Sequence, residues 1–177
     1  LLVANLLENP QLSDLYTHIL REDPVTVREV LDAFDLFDER IHALMTRLKE
    51  MGVIEITMDS EPPKYRATAI ELSLTTDQCE GTYTVTPALV EAVGRRLDDP
   101  DIDTYIDQHG IGGLATALTY AVERERSNVT HRLMARDLDI APLEAEVILQ
   151  ALRPVVHEHY DIENSGASIE DVVTAED

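Results

Sequence analysis

The chain has 177 residues, with 35 Asp+Glu against 14 Lys+Arg and a formal net charge of -21. That length suits one ordinary domain or two small ones and excludes a large multidomain enzyme. The hydrophobic share of 44% excludes the low-hydrophobicity signature of disorder. No apolar run approaches the ~18 residues of a membrane span, and no charged start with an apolar stretch resembles a secretory leader.

Leu1 to Glu8 reads as a short helical turn ending before Pro10. A helix is predicted from Ser13, with Leu15, Tyr16, Ile19 and Leu20 at helical spacing, stopping before Pro24. Thr26-Val27-Arg28-Glu29 is a capping box, and Val27, Val30, Leu31 and Phe34 form the apolar stripe behind it. Asp35-Leu36-Phe37 makes a tight turn. Asp38 is then expected to cap a longer helix with core positions Ile41, Leu44, Met45, Leu48 and Met51, ended by Gly52.

The period changes there from helix to strand. Val53, Ile54, Ile56 and Met58 read as one strand, Asp59 to Pro63 as a hairpin tip, and Lys64 to Ala69 as the return strand. Thr86-Pro87 opens a helix through Leu97, Ile102 to His109 forms a second, and Gly110 closes it. Leu114, Ala117, Leu118, Ala121 and Val122 mark a third. A faint internal repeat follows: Thr26, Val30, Phe34, Leu36, Leu44 and Leu48 fall on Thr130, Met134, Leu138, Ile140, Ile148 and Leu152. From Glu158 on there are seven acids and no Lys or Arg, so residues 161–177 read as an acidic tail.

The order helix, helix, turn, helix, strand, tip, strand is that of a helix-turn-helix with a β-hairpin. Residues 11–69 resemble the winged helix-turn-helix of archaeal and bacterial transcriptional regulators, the broad ArsR, MarR and TrmB-like groups. The stretch PVTVREVLDAFDLFDERIHALMTRLKEMGVIEI carries the likeness. The carboxylate-rich, lysine-poor composition, with only Lys49 and Lys64 beside twelve arginines, resembles that of cytoplasmic proteins from salt-loving archaea. Together these imply a mostly α fold with a small hairpin wing: a DNA-binding domain at 1–75, and a helical dimerisation and sensor region at 76–160.

On a helical wheel Ala43 and Thr46 lie at the centre of the outer face of helix 39–51. Arg40 and Arg47 lie along one edge, His42 and Lys49 along the other. Small central residues admit a major groove, and the cations on both edges suit phosphates or guanine edges. Lys64 and Arg66, two apart on the return strand, add a contact to the flank. Glu39 and Glu50 on the same outer face oppose phosphate, and a winged helix also serves as a protein-docking module.

The expected partners are double-stranded DNA, a second copy of the chain through the Leu114–Val122 helix, and a small-molecule effector. No membrane partner, enzymatic activity or cofactor is expected. Residues 1–66 hold seven Lys+Arg against thirteen Asp+Glu, and residues 67–177 seven against 22, so the first copy of the repeat is the less hostile to DNA. His157-Glu158-His159 with Asp161 offers metal-ligand types, but near a chain end reads as surface. Gly110-Ile111-Gly112-Gly113 reads as a hinge. Cys79, alone in the chain, cannot form an internal disulfide, which favours a reducing cytoplasm.

Overall fold

A computed structural model describes residues 2–57, 59–76 and 81–162. Met58, Cys79 and the tail from residue 163 lie outside the described residues. The fold is mostly helical, with two small antiparallel sheets. It divides into two compact units, Leu1–Thr116 and Ala117–Asp177.

The first unit opens with α1 (Leu2–Glu8) and α2 (Pro10–Glu22). The second of these starts three residues earlier than the apolar spacing indicates. The Asn9 side chain accepts from the Gln11 and Leu12 amides, and Pro10 occupies the first helical position, where no amide is needed. Ser13 is consequently inside the helix and buried, its hydroxyl donating to the Leu6 carbonyl at 2.6 Å. Tyr16 is fully buried and donates to the Thr68 carbonyl at 2.6 Å. Burial pushes its phenol up to about 12.

A two-residue strand, β1 (Val25–Thr26), leads into α3 (Val27–Ala33), and residues 34–37 join this to α4 (Asp38–Glu50). The capping box forms. The Glu29 amide donates to the Thr26 hydroxyl at 3.3 Å, and the Thr26 amide donates to the Glu29 carboxylate at 2.7 Å. The Thr26 amide and hydroxyl, both donating to the Glu29 carboxylate, hold it below its usual range. Asp38 is not the cap of α4. Phe37 takes that position in extended conformation, without a side-chain cap bond, and Asp38 becomes the first helical residue. Its charge then lies in the first turn, where the helix dipole favours it.

After Gly52, at φ +75°, come β2 (Ile54–Thr57) and β3 (Lys64–Ala67). They pair antiparallel, with Ile54 opposite Ala67 and Thr57 opposite Lys64. β1 adds to the other edge of β3, Val25 opposite Tyr65, giving the order β1-β3-β2. A second sheet, β4 (Leu72–Thr76) with β5 (Gly81–Val85), is not among the elements expected above, although Leu72 and Leu74 alternate with Ser73 and Thr75, and Tyr83 and Val85 with Thr82 and Thr84; each run is only five residues long. α5 (Pro87–Gly94) follows the Thr86 cap and passes into a 3-10 turn at Arg95–Leu97. Glu91 is buried in α5 and is held by Arg21, with Arg95 at 3.7 Å.

α6 (Pro100–Glu125) is interrupted at Gly110, whose φ of +73° and ψ of 179° no helix accommodates. In the second unit, α7 (His131–Leu138) and α8 (Pro142–His159) pack together. The expected interface residues Leu114, Ala117, Leu118, Ala121 and Val122 are all buried within the single chain. The reason is physical: the apolar stripe that suggested a dimer is spent on the chain's own core. No helix among the described residues is long and apolar enough to cross a membrane.

The repeat extends to cap and burial. α3 and α7 begin 104 residues apart, as do α4 and α8. Thr26 and Thr130 each accept from the amide three residues on. Val30, Ile41, Leu44, Met45 and Leu48 are buried, and so are their counterparts Met134, Ala145, Ile148, Leu149 and Leu152.

Candidate nucleic-acid interface

The buried stripe of α4 is Ile41, Leu44, Met45 and Leu48, which turns the opposite side of the helix outward. Arg40, His42, Ala43, Thr46, Arg47 and Lys49 are all exposed there, together with Glu39 and Glu50. The Thr46 hydroxyl donates back to the His42 carbonyl at 2.9 Å, so its proton is already engaged within the helix. Arg40 donates through Nε and Nη2 to the Gln11 side-chain oxygen at 3.0 and 2.7 Å. A neutral partner fixes that guanidinium without cancelling its charge.

The hairpin cations differ from one another. Arg66 is half-exposed and pairs with Asp23 at 3.2 Å, so it is committed to a carboxylate in the free chain. Lys64 is half-buried and has no carboxylate within ion-pair distance among the described residues. Its charge contributes to holding the Glu29 carboxyl down.

A pattern emerges across the whole described chain. Arg21, Arg66, Arg95, Arg96, Arg124, Arg126, Arg136 and Arg153 each sit within ion-pair distance of an acid. Arg28, Arg40, Arg47, Lys49, Lys64 and Arg132 have no such partner among the described residues. All but Arg132 lie on α3, α4 or β3. Six of the 14 Lys+Arg thus lack an acid partner among the described residues despite the excess of carboxylate, and five of the six cluster on one supersecondary unit.

Two residues escaped the sequence reading. Arg28 is exposed in the first turn of α3, and its place within the capping box Thr26–Glu29 was the available signal. Phe37, read only as part of a turn, is 88% exposed at the head of α4. An outward aromatic cannot be told from a core one by spacing alone.

The second copy of the repeat carries a different outer surface. The counterparts of Arg40, His42 and Arg47 on α8 are Glu144, Glu146 and Ala151. Glu146 is engaged by Arg124 at 2.9 Å and by His131 at 3.1 Å. Hydrogen bonds from Arg124 and Gln150 hold its carboxyl below the usual range. His157 meets Glu125 at 2.9 Å, and no group of three His, Cys, Asp or Glu among the described residues is placed to hold a metal ion.

Residues 96–161 match a family of unknown function, DUF7437. The matched stretch takes in α6, α7 and α8 and none of α3, α4 or β3. No curated protein and no solved structure matches the chain.

Proposed function

We propose that the chain is a non-enzymatic, sequence-specific DNA-binding regulator of transcription that works in the cytoplasm at high salt. In this reading α3, residues 34–37 and α4 act as a helix-turn-helix, and β2 and β3 act as its wing. α4 enters the major groove; Ala43 and Thr46 permit close approach while Arg40, Arg47, His42 and Lys49 reach phosphates and base edges. Lys64 takes the flanking backbone. One short helix reads few bases, so specific binding calls for two copies, and the helical remainder is assigned to effector response.

The observation that carries the reading is the gathering of carboxylate-free cations on α3, α4 and β3. A net charge of -21 repels DNA at long range in dilute buffer, but in molar salt the Debye length falls to about 3 Å, and only groups at the contact matter. A gel-shift assay on duplex DNA in molar KCl tests this. The wild type should shift DNA, and Arg47→Ala with Lys49→Ala should not. Equal shifts by both proteins would count against the reading.

A second reading, a protein-docking module on the same fold, is favoured by Phe37 and its acidic neighbours Asp35, Asp38 and Glu39, which suit a basic-rimmed apolar surface better than phosphate.

A further inference from the structure

We infer that Phe37 of one chain seats in a cleft at the other end of α3 on a second copy, joining the two head to tail. Phe37 is held in place yet uncovered. Its carbonyl accepts from the Arg40 and Ile41 amides at 2.9 and 3.1 Å, so the backbone is fixed, while the ring is 88% exposed. Asp35, Asp38 and Glu39 stand around it along an open hollow of about 610 Å³. The result is an apolar knob with an anionic collar.

The matching socket is on the same unit. Val27, Leu31, Pro62, Pro63 and Tyr65 line a cleft of about 320 Å³ with Arg28 beside them. That volume admits a phenyl ring, and the lining is chiefly apolar side chain. Arg28 is exposed and has no carboxylate partner among the described residues. Knob and socket are therefore complementary in polarity at the centre and in charge at the rim. They lie at opposite ends of α3, whose seven residues span roughly 10 Å, so the ring does not fill its own chain's cleft. Such a contact uses different patches on the two copies, which makes it heterologous. Molar salt screens the rim charges beyond about 3 Å, so they act only where they touch, and it leaves the apolar centre effective.

This inference does not depend on the DNA reading, because the contact forms without DNA. Sedimentation equilibrium of the full chain in molar KCl, with no DNA present, tests it. The wild type should self-associate with rising concentration, and Phe37→Ala should weaken association by at least about tenfold. Leu31→Trp, which fills the cleft, should do the same. Since each variant keeps the half that the other lacks, an equimolar mixture should form a one-to-one pair that neither forms alone. Arg28→Glu, a surface change that spares the core, should also weaken association, and Glu39→Arg should restore it in a mixture with Arg28→Glu. A wild type that stays monomeric throughout overturns the inference, as does association that Phe37→Ala and Arg28→Glu both leave unchanged.

Discussion

Replacing Glu91 by Gln removes one negative charge from the packing between α2 and α5 with almost no change in volume. Glu91 is 4% exposed, so its carboxylate has exchanged water for the guanidinium of Arg21, with Arg95 at 3.7 Å. Breaking a fully buried pair costs about 3–5 kcal/mol, whereas an exposed pair contributes roughly 0–1 kcal/mol. The arginine side chains are 44% and 39% exposed and regain water once the charge is gone, which places the loss between these limits, at about 2 kcal/mol. For a chain of this length about 2 kcal/mol lowers Tm by roughly 4–8 °C. Chemical unfolding in molar KCl, followed by circular dichroism, should show a lower midpoint with an unchanged slope. A loss under about 0.5 kcal/mol would mean the pair behaves as a surface pair, and the reasoning from burial would be wrong.

Gly94→Ala should destabilise by about 1 kcal/mol. A Cβ there meets the Asp14 backbone nitrogen at 3.0 Å, and the overpacking outweighs the gain in helix propensity. Gly112→Ala, whose Cβ finds only the Tyr83 ring at 3.5 Å, should be neutral or stabilising, and a reversed order would refute the close-approach account. Stability should fall as pH rises from about 10 to about 12. The folded Tyr16 keeps its proton until about 12 while the unfolded phenol releases it near 10, so folding favours the protonated form and its contribution is complete below that window. Tyr83, raised by burial and by Glu8, acts with the same sign; Tyr16→Phe should flatten the fall measured by unfolding across this range. Thr26→Ala and Thr130→Ala should each cost about 1 kcal/mol in unfolding experiments. The first should cost more, because Glu29 also loses the Thr26 hydroxyl as a partner.

The parts of the fold legible in the sequence are those whose signals are local. The Thr26–Glu29 box, the Thr86-Pro87 and Thr130 caps and the apolar spacing of α4 each fix an element within a few residues. The start of α2 is not legible in the apolar spacing, because Asn9 caps it outside that stripe. β1 is too short to show any period, and it exists because β3 offers it an edge. The outer face of α4 was legible because a helix with four inward residues determines what points out. The state of each cation was not, since whether Arg66 meets Asp23 or Arg40 meets Gln11 depends on partners 43 and 29 residues away. The Leu114–Val122 stripe shows the same limit from the other side: spacing identifies an apolar face but not what covers it.

The most direct test of the central claim is a binding titration of duplex DNA selected from a random pool, carried out in molar KCl. The account predicts retention of a preferred sequence, with affinity that changes little as KCl rises, because few counterions are released. Arg47→Ala with Lys49→Ala should weaken it by roughly a hundredfold, each charged hydrogen bond contributing about 1.5 kcal/mol or more. Arg96→Ala, which removes a cation already paired with Asp103 and Asp107, should leave it unchanged. No retained sequence, or equal weakening by all three substitutions, would contradict the claim.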